Sequence, residues 1–436
     1  MISGGSGQPE PEAAVLVFGP DALRLEGLSN AAGQITLSDP ALAAPVDVTA
    51  AKEGFEATTI EDVEAENITI LLQPNDGEGS PPPGVPAAIL SGTATGLDVI
   101  PKPMQDALVN IMVIETTHTT PYNRTRLPPP GPGGILLEDG PFEIIARPGE
   151  LALIATVGEI SRDTLKDFED GLLDYWTMRQ ALRPLSMGIR RFISASPGDT
   201  IEDLDVVVDH PMDLIFPIDL DNPPLGLNPG PEYYAVLPRL NFGAEGFWEI
   251  DAQGFAFDPA ITMSQMPRLA GWPGDITYYL IGIAFSNTAD QTPQSISIAE
   301  TRNVEAGVFI TPFVGAPFII DPGADGILGP ERRVTWGVAD GFDGPIRPPS
   351  ANVVSIEEPG LGGPKPLWRY ITPSLVTEFV MPELPVEAGA AGLGGGAMIL
   401  TVIPFISEGP FDFDDFTYND LNRWDAWGVH STIFVP

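Results

Sequence analysis

The chain has 436 residues and a formal net charge of −39 at pH 7, from 60 acidic and 21 basic side chains. This charge argues against nucleic acid as a partner, because phosphate binding needs clustered lysine and arginine. The chain has no cysteine, which excludes disulfides, thiolate nucleophiles and zinc–thiolate or iron–sulfur centres. No apolar run approaches the roughly 20 residues of a membrane helix, so we expect no transmembrane segment.

Glycine and proline divide the chain into short apolar stretches. The 47 glycines and 48 prolines lie between stretches in which apolar and polar residues alternate. Such a pattern is typical of many short strands joined by turns. We therefore predict an all-β fold of tandem β-sandwich domains: two small units, then a larger sandwich or jelly roll, with one short helix.

The N-terminal part is predicted to contain a flexible arm, a first sandwich and a linker. Residues 1–12 are rich in glycine, proline and acid and show no export signal; they either stand in place of one or remain after its removal. Residues 13–74 carry strands at regular turn spacing, which predicts a small β-sandwich. Residues 75–84 lack apolar periodicity and contain several prolines, which predicts a semi-rigid linker.

Two further sandwiches are predicted after the linker. Residues 85–224 read as a second sandwich with a helical insertion, and residues 231–436 as a larger C-terminal sandwich. We expect the inserted helix to close one end of its sandwich, with a lid or a partner-binding helix as the alternative. Ser161 is the predicted cap, and four apolar side chains fall on one helical face: Leu165, Phe168, Leu172 and Trp176.

The first sandwich carries a family likeness in its turns and strands. The matching elements are a turn leading into a strand, a central strand, a Lys-x-Gly-aromatic turn and a last strand, at residues 30–37, 46–50, 52–55 and 67–72. This part resembles the carboxypeptidase regulatory-like domain, a transthyretin-like sandwich close to the Cna B-type repeats. The resemblance implies a non-catalytic unit of a multi-domain bacterial surface or lipoprotein-like exoprotein, and a positive φ at Gly54. Residues 85–224 match the pattern more loosely.

The sequence shows no motif of an enzyme. A Gly-x-Ser-x-Gly elbow and the glycine-rich phosphate loops are missing. The three histidines, His118, His210 and His430, are far apart and lack metal-site spacing. We therefore predict a protein that is not an enzyme. A polysaccharide-acting hydrolase with a carboxylate pair stays open as an alternative, because the spacing that matters for such a pair is spatial.

Calcium is the one cofactor that the composition favours. A hard cation binds several carboxylate and carbonyl oxygens, and two acidic turns offer them. The candidate calcium ligands are Asp321, Asp325, Asp412, Asp414 and Asp415. The alternative is that these aspartates only form turns, as aspartate and glycine commonly do.

A late segment mixes aromatic, amide and acidic side chains, which suits stacking on sugars combined with hydrogen bonds. The candidate carbohydrate-binding residues are Asn419, Asp420, Trp424 and Trp427. The alternative reading is packing between sheets.

These observations favour a secreted or cell-surface location and a role in contact rather than chemistry. The leading hypothesis is a non-enzymatic extracellular structural or adhesion protein of the bacterial cell surface. Its partner is a second copy of itself, in an oligomer or fibre joined at sheet edges, or a cell-surface protein or glycan. The N-terminal arm could supply the added strand. A carbohydrate-binding protein, with or without calcium dependence, is the alternative.

Overall fold

Short strands fill most of a computed structural model of the chain, which confirms the predicted all-β class. The structure describes residues 2–4, 9–20, 23–75, 87–117, 134–224, 233–250, 254–285, 294–323, 326–341, 343–360, 364–385, 393–416, 421 and 423–436. The alternation read from the sequence matches the burial of individual strands. In the strand Gly140–Ala146, for example, Phe142, Ile144 and Ala146 point inward while Glu143 and Ile145 face solvent.

The first part of the chain forms one sheet and a separate strand pair. Strands β3, β2, β4 and β5 lie side by side and antiparallel, whereas β1 pairs with β6 in parallel. Gly54, in the turn between β4 and β5, has a φ of +80°, as the family resemblance implies. The strands are β1 Ile2–Gly4, β2 Ala14–Phe18, β3 Arg24–Leu28, β4 Val46–Ala51, β5 Ala57–Val63 and β6 Ile70–Leu72.

The second part is a sandwich of two sheets around a shared apolar core. One sheet has the order β10-β7-β13 with β14 also on β7, and the other has the order β15-β12-β11-β8-β9. The elements are β7 Ala88–Thr95, β8 Leu108–Thr116, β9 Ile135–Leu136, β10 Gly140–Ala146, β11 Gly149–Ser161, α1 Arg162–Glu169, α2 Tyr175–Gln180, β12 Arg183–Ala195, β13 Thr200–Ile201, β14 Val206–Val207 and β15 His210–Pro211.

The predicted helical insertion is present but consists of two short helices. Ser161 caps α1 as expected, since its hydroxyl accepts the Thr164 amide. Gly171 then adopts a φ of +74°, and the chain restarts at α2. Leu172 falls in this break and is 73% exposed, so the prediction that it lies on a packed helical face was wrong. The side chain of Trp176 lies outside the described residues.

A third part packs a small sheet of order β20-β16-β23 over strands β17, β19 and β21. Trp248, Tyr278 and Phe216 are among its fully buried side chains. The strands are β16 Leu214–Leu220, β17 Tyr233–Asn241, β18 Phe247–Glu249, β19 Gly254–Ala256, β20 Ala260–Met266, β21 Thr277–Phe285, β22 Gln294–Thr301 and β23 Val308–Ile310.

The last part packs a small sheet of order β24-β25-β28 against strands β26, β27, β29 and β30. Trp336, Trp368 and Tyr370 are fully buried there. The strands are β24 Pro317–Asp321, β25 Arg333–Val338, β26 Ala351–Glu358, β27 Lys365–Pro373, β28 Glu378–Val380, β29 Met398–Ser407 and β30 Trp424–Phe434.

One 13-stranded sheet connects the first, third and last parts of the chain. Its order is β18-β17-β21-β22-β30-β29-β26-β27-β5-β4-β2-β3, with β19 also paired to β17. The N-terminal strands join it through a parallel pairing of β5 with β27, in which Thr59 lies opposite Tyr370. Ala14 and Ala57 accordingly share an apolar cluster with Val354 and Trp368. The boundaries proposed above at 74, 224 and 231 stay predictions. Neither of the two helices in the described part of the chain has the length and apolarity needed to cross a bilayer.

Candidate interaction sites

The N-terminal arm adds a short strand to the first sandwich. Ile2, Ser3 and Gly4 of β1 pair in parallel with Ile70, Leu71 and Leu72 of β6. The end of the arm is fixed separately. The Ser29 hydroxyl donates to the Glu10 carbonyl at 2.7 Å, and the Glu10 carboxylate pairs with Lys52 Nζ at 2.7 Å. The β1–β6 strand pair is therefore small, and the chain is fixed independently of it at Glu10.

An open cavity of about 480 Å³, lined mostly by aliphatic side chains and on one side by polar ones, lies against the sheet of the first part. Its floor is the inner face of β2 and β4, where Val15, Val17 and Val48 are buried. Its walls come from irregular chain on either side, including Ile35 and Ile68. The sequence predicts a strand at residues 34–37, but the structure has no strand there, so the second layer of this sandwich is incomplete.

A smaller cavity of about 210 Å³ lies on the opposite face of the same sheet, against Val380 at the end of β28 and Pro382 beyond it. Glu61 lines this cavity and is 7% exposed. Burial, with the charges of Asp47 and Asp62, raises the pKa of Glu61 to about 9. Burial also raises the pKa of Asp47. Glu61 is therefore a neutral acid at pH 7.

The parallel junction between β5 and β27 carries a second buried acid. Glu56, which is 1% exposed, lies 3.1 Å from the guanidinium of Arg369. Burial raises the pKa of Glu56, and the positive charge of Arg369 only partly offsets that effect. Glu357 on β26 has a raised pKa for the same two opposing reasons. The charge of Arg369 thus stabilises the ionised form of two acids where the N-terminal strands meet the last part of the chain.

A buried ion pair connects the helical insertion to two sheets. Arg179 of α2 donates to Glu115 of β8 through Nε at 3.1 Å and through Nη2 at 2.9 Å. Tyr175 and Trp248 also donate to this carboxylate, the latter at 3.1 Å. Burial alone would raise the pKa of Glu115, but the charge and hydrogen bonds of its partners lower it below its usual value. We regard the network as structural, because every oxygen of Glu115 is engaged.

The candidate calcium ligands lie in two separate places. Asp321 ends β24, and Asp325 lies outside the described residues. In the other turn, the Asp412 carboxylate accepts the Asp414 amide at 3.1 Å, and the Asp414 carboxylate accepts the Glu64 amide at 3.0 Å. Across the described part of the chain, no group of three acidic or histidine side chains is arranged to hold a metal ion. Calcium binding stays a prediction.

Two of the candidate carbohydrate-binding residues are described, and both lie against a core cluster. Trp424 and Trp427 are half-buried. Trp424 stacks on Phe405 with a centroid distance of 5.1 Å and lies 5.9 Å from Trp427. Asn419 and Asp420 lie outside the described residues. These contacts favour the packing alternative for the two tryptophans, and sugar binding stays a prediction.

The described histidines occupy separate environments. His210 contacts Trp272 with a ring distance of 4.9 Å, and His430 Nδ1 accepts the Ile319 amide at 3.1 Å. His118 lies outside the described residues.

Sequence reasoning missed the buried acids. Glu56 and Glu61 flank an apolar and β-branched run, residues 57–60, that was not read as a strand. An acid next to such a run is a weak signal, since it fits a solvent-facing position equally well.

Comparisons with known proteins leave the family open. No family model matches the chain, and no curated protein matches it. Among solved structures, native alpha-2-macroglobulin of E. coli aligns with 98% of this chain and 27% of that chain, at 10% identity and a TM-score of 0.14. A score this low supports no argument about fold or function.

Proposed function

We propose that the chain is a non-enzymatic structural protein of the bacterial cell exterior that assembles with copies of itself. In the assembly, β1 of one copy adds to β6 of the next. The observation that carries this proposal is the parallel pairing of a three-residue strand with a core strand of the same chain.

The same pairing can form within one chain or between two chains. An exchanged strand makes the same backbone contacts with a neighbouring copy that it makes within its own chain. The exchange therefore changes the free energy little, apart from the cost of rearranging the connecting residues. The pairing is also weak, because a net backbone hydrogen bond contributes only about 0.5–1.5 kcal/mol. We therefore expect β1 to detach readily while the anchored residues Glu10 and Ser29 stay in place.

Charge sets the conditions for such assembly. At a net charge of −39, copies repel each other over roughly 10 Å in about 0.1 M salt and over a much longer range in dilute buffer. Salt weakens this repulsion but leaves the strand pairing intact. Assembly should therefore increase with both protein concentration and ionic strength.

Light scattering after size exclusion tests the proposal. The full chain should form oligomers that grow with concentration and salt, and a chain lacking residues 1–8 should stay monomeric. The double variant Ser3→Pro/Gly4→Pro should behave like the shortened chain, because adjacent strand residues point their N–H groups to opposite sides and one of the two prolines therefore removes a donor to β6. A matched control, Glu53→Pro, places proline outside the strand, at the exposed second position of the Lys52–Phe55 turn, where its fixed φ is accommodated. A full chain that remains monomeric throughout, or a shortened chain that assembles equally, would overturn the proposal.

A further inference from the structure

The apolar cavity of the first sandwich has the size of a ligand site. Its volume of about 480 Å³ lies within the roughly 300–1,000 Å³ typical of small-molecule pockets. An apolar cavity of about 150 Å³ is already enough to hold benzene. The lining contains aliphatic side chains and no aromatic ring, which suits a flexible aliphatic chain better than a flat ring.

One side of the cavity is polar and acidic. Glu64, Glu66 and Asn67 line it and are exposed, as is Thr36 in the other wall segment. Among the residues that the structure describes, no lysine or arginine lines the cavity. The Glu64 amide donates to Asp414 at 3.0 Å, which fixes the backbone of this acidic segment.

These features select the charge of the ligand. Two carboxylates at the opening attract a cationic headgroup and repel an anionic one. The net charge of −39 acts in the same direction at longer range. The apolar floor at Val15, Val17 and Val48 would meanwhile take up the hydrocarbon chain.

We propose that this cavity binds a single-chain amphiphile, with its aliphatic tail between the sheet and the side chains of Ile35, Leu37 and Leu42, and its cationic headgroup beside Glu64 and Glu66. The site is separate from self-assembly through β1, since no arm residue that the structure describes lines the cavity.

Titration calorimetry with decyltrimethylammonium and decanoate, both below their micelle concentrations, tests the proposal. About 0.15 M salt screens adsorption to the distant acidic surface, because the Debye length is then about 8 Å. We expect one saturable site for the cation and weaker binding of decanoate. Equal or tighter binding of decanoate, or no saturable site for either probe, would overturn the proposal.

Variants place the site within the cavity. Ala65→Phe and Val48→Phe fill the cavity and should abolish the saturable site, whereas Ala43→Phe adds the same ring to an exposed position outside it. The double variant Glu64→Gln/Glu66→Gln should weaken binding of the cation several-fold. Its control, Glu12→Gln/Glu53→Gln, makes the same charge change elsewhere on the first sandwich. Thermal unfolding identifies any filled variant that does not fold, and the two filling positions are independent. Retention of the site in a folded filled variant, or equal weakening by the control pair, would contradict the proposal.

Discussion

Replacing Glu61 with glutamine should stabilise the protein at neutral pH. In the folded chain the pKa of Glu61 is about 9, against an ordinary value of 4.5. At pH 7 the unfolded chain therefore carries an ionised Glu61, whereas the folded chain must bind a proton. One pKa unit corresponds to about 1.4 kcal/mol, so this proton uptake lowers the free energy of unfolding by about 3 kcal/mol at pH 7. Glutamine keeps the shape and a neutral polar group without needing the proton.

The pH dependence separates this effect from ordinary packing changes. Below the unfolded pKa of 4.5, both states of the wild type are protonated, and the acid is at no disadvantage. Its contribution is lost progressively as pH rises from 4.5 towards 9, so the advantage of Glu61→Gln should grow over that window.

Urea denaturation at a series of pH values measures the difference directly. We expect the two proteins to differ least near pH 4.5 and the variant to be more stable by about 3 kcal/mol at pH 7, with equal denaturant slopes. The control Glu53→Gln, at an exposed position that does not contribute to the raised pKa of Glu61, should show a much smaller pH-dependent gain. A constant difference at all pH values, or a variant that loses stability as pH rises, would refute the reasoning.

Two further predictions concern packing inside the fold. Arg179→Met should lower the free energy of unfolding by about 3–5 kcal/mol in urea titrations, because it leaves Glu115 charged and buried without its partner; a loss below about 1 kcal/mol would contradict the network described here. Gly188→Ala should lower stability by about 1–3 kcal/mol, since its added Cβ would lie 2.2 Å from the Val207 carbonyl oxygen. Gly274→Ala, where the added Cβ meets nothing within 4 Å, should leave the melting temperature nearly unchanged, and equal effects of the two alanines would contradict this packing.

The sequence predicted secondary structure correctly where the pattern within one segment is enough to determine it. Alternation identified strands such as β10, and the serine at 161 identified the start of a helix. It was less informative at residues 34–37, where the alternating pattern is present but no strand forms, since a strand also needs a neighbour with free backbone groups. Alternation reports which face is buried and not whether a partner strand exists.

Long-range pairing was beyond reach of sequence reasoning. Nothing local in residues 57–60 indicates that β5 pairs in parallel with β27, more than 300 residues later. The neutral state of Glu61 follows from that pairing and from the cavity beside it, so it also could not be anticipated. The apolar cavity likewise exists because residues 34–37 form no strand, and the sequence pattern does not reveal this.

Cysteine trapping tests strand exchange most directly, because the natural chain has no cysteine. Ser3 and Leu71 are register partners in the β1–β6 pair, and neighbouring strands lie about 4.8 Å apart, within the range that a disulfide spans. A mixture of the single variants Ser3→Cys and Leu71→Cys should give covalent heterodimers on mild oxidation, while Ser3→Cys mixed with Ser38→Cys should not. The double variant Ser3→Cys/Leu71→Cys, oxidised alone, reports whether the crosslink forms within one chain. If the mixture of Ser3→Cys and Leu71→Cys stays monomeric, and the double variant gives only an internal crosslink at every concentration, the arm is not exchanged between copies.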